Sequence, residues 1–296
     1  MRACLDCLPC LARNATELAR RSARGDAALE GRIAAEGMHI LGAAAEAGYP
    51  LPPPCYARQL IDNALAMSGG AVPDPWAEEK RKSTELALRL LERLDEMQFI
   101  ASEFEKRLRL AIAGNILDFS IYADLDIAAA METMTQAFTK PIDTTAVAEL
   151  KRRMDEAKSI LWIFDNCGEA VFDRLLIEPY CEKITFAVRG KPAFNDMTRA
   201  ELVPSGLLPP DLYKCGGKIV SNDDGVPGVV DATCGDAFRA AFASADLIIA
   251  KGQANFETMS DRTDKPIAFL FLAKCPVVCR EVGAQPQTIQ VVLHNF

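Results

Sequence analysis

Three stretches in the C-terminal half carry the residue types from which an active site is built. Residues 159–174 (SILWIFDNCGEAVFDR), 184–198 (ITFAVRGKPAFNDMT) and 246–261 (DLIIAKGQANFETMSD) each start as an apolar run and end abruptly in ionisable and amide side chains. Short continuous apolar runs read as buried parallel strands. The separation of Asp165 from Asp196 is close to the roughly 30 residues of a strand–helix–strand crossover, so both carboxylates should leave the same edge of one sheet. That edge, beyond the carboxyl ends of the strands, is where open α/β sheets bind ligands. Asp165, Asn166, Asp196 and Lys251 are therefore expected to meet there.

A hard divalent cation takes oxygen ligands, typically one or two protein carboxylates, with waters and substrate phosphate oxygens completing the shell. Asp165, the Asn166 carbonyl and Asp196 suit that role. The plainer reading of Asp165-Asn166 alone is a cap on the following helix, and the recurrence of the pair as Asn195-Asp196 weighs against it. Lys251 directly follows an apolar run and precedes Gly252. An ammonium there is a ready partner for phosphate, and a glycine admits close backbone approach. Arg189-Gly190 offers a second such loop. The alternatives are a solvated cation and a turn glycine.

Asn115 falls four residues after Ala111 and continues the apolar stripe of Phe104, Leu108, Ala111 and Ile112. A polar amide is thereby aimed inward, either to tie helices together or to face the site; Asp118 carries the same pair of readings. Cys4, Cys7 and Cys10 repeat every three residues. They are either three ligands of a further metal, with Cys55 as a fourth, or small buried apolar residues. There is no GxxxxGK[ST] loop, no GxGxxG after a strand, no GxSxG elbow and no HExxH helix, which removes NTPase, dehydrogenase, serine-hydrolase and zincin readings. Cys167, two residues after Asp165, also breaks the DxD pattern of an aspartyl-phosphate mechanism.

The elements that must position these residues follow from texture. Residues 1–140 read as a helical subdomain, with a second stripe at Ala87, Leu90, Leu91 and Leu94 and breaks at 48–54 and 68–75. Thr144 or Thr145 should cap the helix that opens residues 141–296. There, strands at 160–164, 184–188, 218–220, 247–250, 267–272 and 289–293 alternate with helix-length segments. The expected fold is α/β, a helical N-terminal subdomain packed on a doubly wound, mostly parallel α/β/α sheet. The 33 basic and 41 acidic side chains give a net charge of −8 without a basic block, which disfavours nucleic acid. Residues 1–21 lack a signal-peptide apolar stretch and no segment is long enough to span a membrane, so a cytoplasmic, soluble protein with reduced cysteines is expected.

Taken together, CLDCLPCLARNA, LRLAIAGNILDF, WIFDNCGEAVFDR, VRGKPAFNDMT, LIIAKGQANFET and FLAKCPVV, in this order and over nearly the whole chain, resemble the metal-dependent damage-control phosphatases. The N-terminal cysteines are similar to those of the family's prokaryotic branch. The resemblance implies a divalent cation (Mg²⁺, Mn²⁺, Co²⁺ or Ni²⁺) on Asp165, Asn166 and Asp196, phosphate on Lys251, and a small phosphorylated metabolite, a sugar phosphate or a damaged cofactor precursor, as substrate. Asn115, Arg189, Gly190 and Gly252 join Lys251 as expected substrate-binding positions. Two departures are Cys167, a thiol near the expected cation where Ala is common, and Lys191-Pro192-Ala193, where apolar residues or Gly are usual. The alternative functions are a metal- or phosphometabolite-binding protein without turnover, and a redox or metal-cluster module built on the N-terminal cysteines.

Overall fold

The computed structural model describes residues 1–70, 73–94, 101–115, 127–202 and 218–296. Its centre is a six-stranded sheet of β1 (Ile160–Ile163), β2 (Ile184–Val188), β3 (Lys218–Ser221), β4 (Leu247–Lys251), β5 (Ile267–Ala273) and β6 (Thr288–His294). The spatial order is β3-β2-β1-β4-β5-β6. All neighbours run parallel except β6, which pairs antiparallel with β5. Chain order reverses between β1 and β4, and the crevice beyond that switch point is where a doubly wound sheet receives a ligand.

Alternation along each strand divides the core. Ile160, Trp162, Leu247, Ile249, Ala268 and Leu270 face one cluster, and Leu161, Ile163, Ile248, Ala250, Ile267 and Phe269 face the other. The first face is covered by α4 (Ala77–Leu91), α5 (Glu103–Ala113), α6 (Ile127–Phe138), α7 (Thr144–Glu156) and α8 (Cys167–Ile177). The second is covered by α10 (Asp236–Ser244), α11 (Gln253–Met259) and α12 (Pro276–Val282), while the single turn α9 (Arg199–Leu202) follows the β2 loop. One apolar cluster thus draws on residues from both sides of position 140.

A third cluster belongs to α1 (Leu8–Ala23), α2 (Ala27–Glu46) and α3 (Pro53–Met67), and it takes in Ala193 and Phe194 from the loop after β2. A Cβ on Gly37 would stand only 3.0 Å from the Ala15 Cβ, so that glycine lets α1 and α2 approach. The stripe at Ala87, Leu90 and Leu94 is buried as its spacing requires. The cap of α7 differs from expectation. Asp143 occupies it and accepts from Thr145 N (2.9 Å) and Ala146 N (3.0 Å), leaving both threonines inside the first turn.

The N-terminal amine donates to Glu257 O at 2.8 Å, pinning the start of the chain to α11. The Glu257 side chain is buried, accepts from Gln253 Nε2 at 2.7 Å, and is pushed by burial up to about 7. Between its ordinary value near 4.5 and about 7 the native state therefore holds more protons than the unfolded chain. Stability must fall as pH rises through that window and level off above it. Urea titrations at pH 5, 6, 7 and 8 should show this slope. Glu257→Gln should remove its part of the slope and stabilise the protein at pH 8 by roughly 1–3 kcal/mol.

Candidate active site

Asp165 and Asn166 leave the end of β1, and the loop after β2 folds back to meet them. Met197 N donates to Asp165 O (2.8 Å), Cys167 N to Asn195 O (2.9 Å) and Arg189 N to Met197 O (2.9 Å). Asn166 and Asp196 pair as an isolated antiparallel bridge. Backbone pairing, rather than side-chain attraction, thus sets two carboxylates beside each other at the switch point. Asp165 is 7% exposed and Asp196 4%, so they meet away from bulk water.

Asn166 occupies the N-cap position of α8 but makes no side-chain cap bond. Its Nδ2 donates instead to Asp165 Oδ2 at 2.9 Å, so the side chain turns toward the neighbouring carboxylate and not toward the helix backbone. Asn115 Nδ2 reaches the same Oδ2 at 3.0 Å and donates to Glu169 Oε2 at 2.7 Å. The amide was therefore aimed at the site, and it ties α5 to α8 as well. Gly114 makes this possible: a Cβ there would stand 2.9 Å from the Glu169 Cα. Asp118 lies outside the described residues.

Arg189 is buried, and its Nε donates to Asp196 Oδ2 at 2.7 Å while Nη1 donates to Gly228 O at 2.9 Å. A second nitrogen lies 4.0 Å from Asp165 Oδ1. It serves the carboxylates, not an open phosphate loop. Gly190 N donates to Asp224 O and to Asn222 Oδ1, and a Cβ on Gly190 would collide with the Asp223 backbone. Its lack of a side chain is used against protein backbone, so its expected place in a ligand loop is replaced by a packing role. Gly252, at φ 79°, abuts Asp165 so closely that any side chain would overlap the carboxylate. It stands directly against the Asp165 carboxylate.

Lys251 stands at the expected strand end, yet its ammonium points inward. It donates to Ala111 O (2.7 Å), to Asp173 Oδ1 (2.7 Å) and to Glu169 Oε1, with no exposed surface. An ammonium has three hydrogens, and these three acceptors use them all. The expected phosphate clamp has no free N–H in this arrangement. Burial alone would depress Lys251, but Asp173 and Glu169 outweigh it and hold the ammonium above its ordinary range.

Burial raises Asp165 far above the usual carboxylate range, helped by Asp196 and Glu169, and raises Asp196 against the pull of Arg189. Asp173 is pushed by burial to about 7. Among the described residues four buried carboxylates (Asp165, Glu169, Asp173, Asp196) thus cluster together, with Arg189 bonded to Asp196, Lys251 bonded to Glu169 and Asp173, and the charge of Lys80 also acting on Asp196. Glu169, Asp173 and Asn255 were not singled out from the sequence. Asn255 lies under the site, its Nδ2 on Lys251 O at 2.6 Å. The available signal for the first two was a pair of carboxylates four apart on an otherwise apolar helix.

The cysteines divide differently from the expectation. Cys4 Sγ and Cys7 Sγ lie 3.9 Å apart, Cys10 is exposed, and burial lifts the Cys7 thiol to about 12. Burial also raises Cys55 to about 11, with the charge of Asp224 acting in the same direction. Among the described residues no three His, Cys, Asp or Glu side chains form a metal-holding group, so the triad Cys4, Cys7, Cys10 is not assembled as one. Cys167 is fully buried in the core beneath the site. Cys181 is disulfide-bonded, contrary to the expectation of uniformly reduced thiols. Pairing requires Cα atoms within about 7 Å, which spacing along the chain does not reveal. No helix among the described residues is long and apolar enough to cross a membrane.

Residues 3–289 match the model of the damage-control phosphatase ARMT1-like domain. A damage-control phosphatase of Pyrococcus horikoshii is 36% identical over 227 residues, 75% of each chain. A damage-control phosphatase of Archaeoglobus fulgidus is 33% identical over 220 residues, 72% of this chain and 73% of its own. The crystal structure of a DUF89 family protein from P. horikoshii superposes over the full length of both chains with a TM-score of 0.84 at 30% identity. With a six-stranded, mostly parallel sheet carrying its motif residues at one edge, this chain belongs to the ARMT1-like damage-control phosphatase family.

Proposed function

We propose that the protein is a divalent-metal-dependent phosphatase of small phosphorylated metabolites, with Asp165, Asn166 and Asp196 holding the cation. The observation that carries this reading is the distribution of used and unused oxygens. Asp165 Oδ2 accepts from Asn115 and Asn166, and Asp196 Oδ2 accepts from Arg189. Among the described residues no hydrogen bond reaches Asp165 Oδ1, Asn166 Oδ1 or Asp196 Oδ1. Three hard oxygen donors on residues held side by side are thus without a hydrogen bond among the described residues, beside a cluster in which four carboxylates are bonded by Arg189 and Lys251. A divalent cation fits both the chemistry of that donor set and its charge.

When bound, such a cation polarises a phosphoryl oxygen and acidifies a coordinated water. The protein's own groups do the rest. Arg189 fixes Asp196, and Asn115 with Asn166 fixes Asp165, so that neither carboxylate reorganises as charge develops. The second lone pair of either Oδ1 is available to orient an attacking water. Lys251 is a positioning residue that bridges Glu169 and Asp173, offsetting one of their two charges, and keeps its length of β4 against α8. It contacts a substrate phosphate only by giving up one of its three acceptors.

Phosphate release from a panel of sugar phosphates and an aryl phosphate should appear with Mg²⁺, Mn²⁺, Co²⁺ or Ni²⁺ and vanish with chelator. Binding of metal without turnover of any member would favour a non-catalytic phosphometabolite-binding protein. Asp165→Ala and Asp196→Ala should each abolish calorimetric Mn²⁺ binding. Each should also remove several kcal/mol of transition-state stabilisation, roughly a thousandfold in kcat/KM. Turnover near the wild-type level in either variant would place the cation elsewhere.

Lys251→Ala separates a positioning role from a clamp. Removing the only ammonium on Glu169 and Asp173 leaves two buried carboxylates without a partner, and such a break costs about 3–5 kcal/mol of folding stability. Denaturant titration of the variant should show that loss. A variant of wild-type stability with reduced kcat/KM alone would restore the clamp.

A further inference from the structure

Glu169 has no exposed surface and touches neither a free oxygen of the pocket nor the crevice floor, yet the geometry runs through it. One of its oxygens accepts from Lys251 and the other from Asn115 Nδ2 at 2.7 Å. The second hydrogen of that same nitrogen goes to Asp165 Oδ2 at 3.0 Å. An amide nitrogen has two hydrogens, and here each has a carboxylate. The orientation of an amide is inferred from its surroundings, and two flanking carboxylates admit only one: turned over, the Asn115 carbonyl oxygen would face two anions.

We propose that Glu169 is a positioning residue that acts through Asn115 to hold Asp165 with Oδ2 toward the protein and Oδ1 toward the cation. The proposal rests on the metal-site reading given above. Glu169 forbids the turned-over amide, and Asn115 then has a hydrogen for Asp165 and nothing else to offer it. Without Glu169, the Asn115 oxygen competes for that place and Asp165 loses one of the two donors that fix its rotation. Lys251 completes the arrangement, because an unneutralised Glu169 would add a third negative charge against Asp165 and Asp196. The pair Lys251–Glu169 thus supplies direction without adding net charge. The backbone enforces the spacing, since α5 meets α8 at Gly114 with the Glu169 Cα at contact distance.

Asp173 provides the comparison. It accepts from the same ammonium at 2.7 Å and carries the same charge, but no hydrogen bond among the described residues joins it to Asn115 or Asp165. The test measures Mn²⁺ affinity by calorimetry, thermal unfolding, and kinetics at saturating metal. It uses the full-length wild type, Glu169→Gln, Glu169→Asp, Asn115→Ala, the double variant Glu169→Gln/Asn115→Ala, and Asp173→Asn.

Removing a partner that orients a ligand typically weakens metal affinity about 10–100-fold. That loss is expected for Glu169→Gln and Asn115→Ala, with partial recovery in Glu169→Asp. The double variant should be no worse than its weaker parent by more than about twofold, because one contact acts through the other. Asp173→Asn should change the Mn²⁺ Kd less than about threefold. Equal losses in Glu169→Gln and Asp173→Asn, or additive losses in the double variant, would overturn the proposal in favour of a general charge or packing effect. If Glu169→Gln does not fold, Asn115→Ala and Glu169→Asp decide: wild-type affinity in the first, or no recovery in the second relative to the first, overturns it. Wild-type protein that binds Mn²⁺ with this pattern but releases no phosphate removes the phosphatase reading and leaves the role of Glu169 standing. Wild-type protein that binds no divalent cation removes both.

Discussion

Two aspartates pressed together out of reach of water repel each other, and most of the site is arranged around that repulsion. The backbone enforces their proximity through the pairing of Asn166 with Asp196. The side chains then divide the work. Arg189 attends to Asp196, the amides of Asn115 and Asn166 attend to Asp165, and Lys251 bridges the two carboxylates standing behind them on α8. What the protein does not supply is enough positive charge. A buried cluster of carboxylates that outnumber the cations bonded to them is costly by itself, and the cost of replacing such a cluster with apolar residues is often small or negative.

Much of this was legible in the sequence, and the reason is burial. Parallel strands covered on both faces must be apolar throughout, so the runs ending at Phe164, Val188 and Ala250 announced both the sheet and its edge. Whatever polar residue followed such a run had to lie at the ligand-binding end, which located Asp165, Asn166, Asp196, Lys251 and Gly252. Asn115 was legible by counting fours along a stripe of Phe104, Leu108 and Ala111. These inferences need only period and direction.

Partner choice needs distance, and there the sequence ran out. Lys251 and Arg189 each read as a cation facing a substrate phosphate, because spacing along the chain does not say which carboxylate a cation at a strand end will meet. Their partners came from elsewhere: Glu169 and Asp173 from the crossover helix, Asp196 from the far end of the same loop. Asp143 displaced Thr144 and Thr145 as helix cap by a shift of one residue, too small for spacing to resolve. Gly190 looked like a ligand loop because a glycine required by a neighbouring backbone and one required by a ligand are identical in sequence.

The origin of Asn115 has a consequence for how the two kinds of structure depend on each other. The strand ends can place Asp165, Asn166 and Asp196 without help, but Asp165 would then keep only the Asn166 amide and remain free to rotate. The second donor comes from the end of α5, whose position is set by apolar packing of Phe104, Leu108 and Ile112 on the same core that holds Trp162 and Ile249. A shift of α5 by a single turn, about 5.4 Å, would withdraw the amide altogether. Gly114 fixes that register, since only a residue without Cβ lets α5 settle on α8 at this height. The setting of one carboxylate in the sheet's crevice thus depends on how closely two helices pack on its face, and that dependence ties the helical residues before 140 to the strand ends as well as to the core.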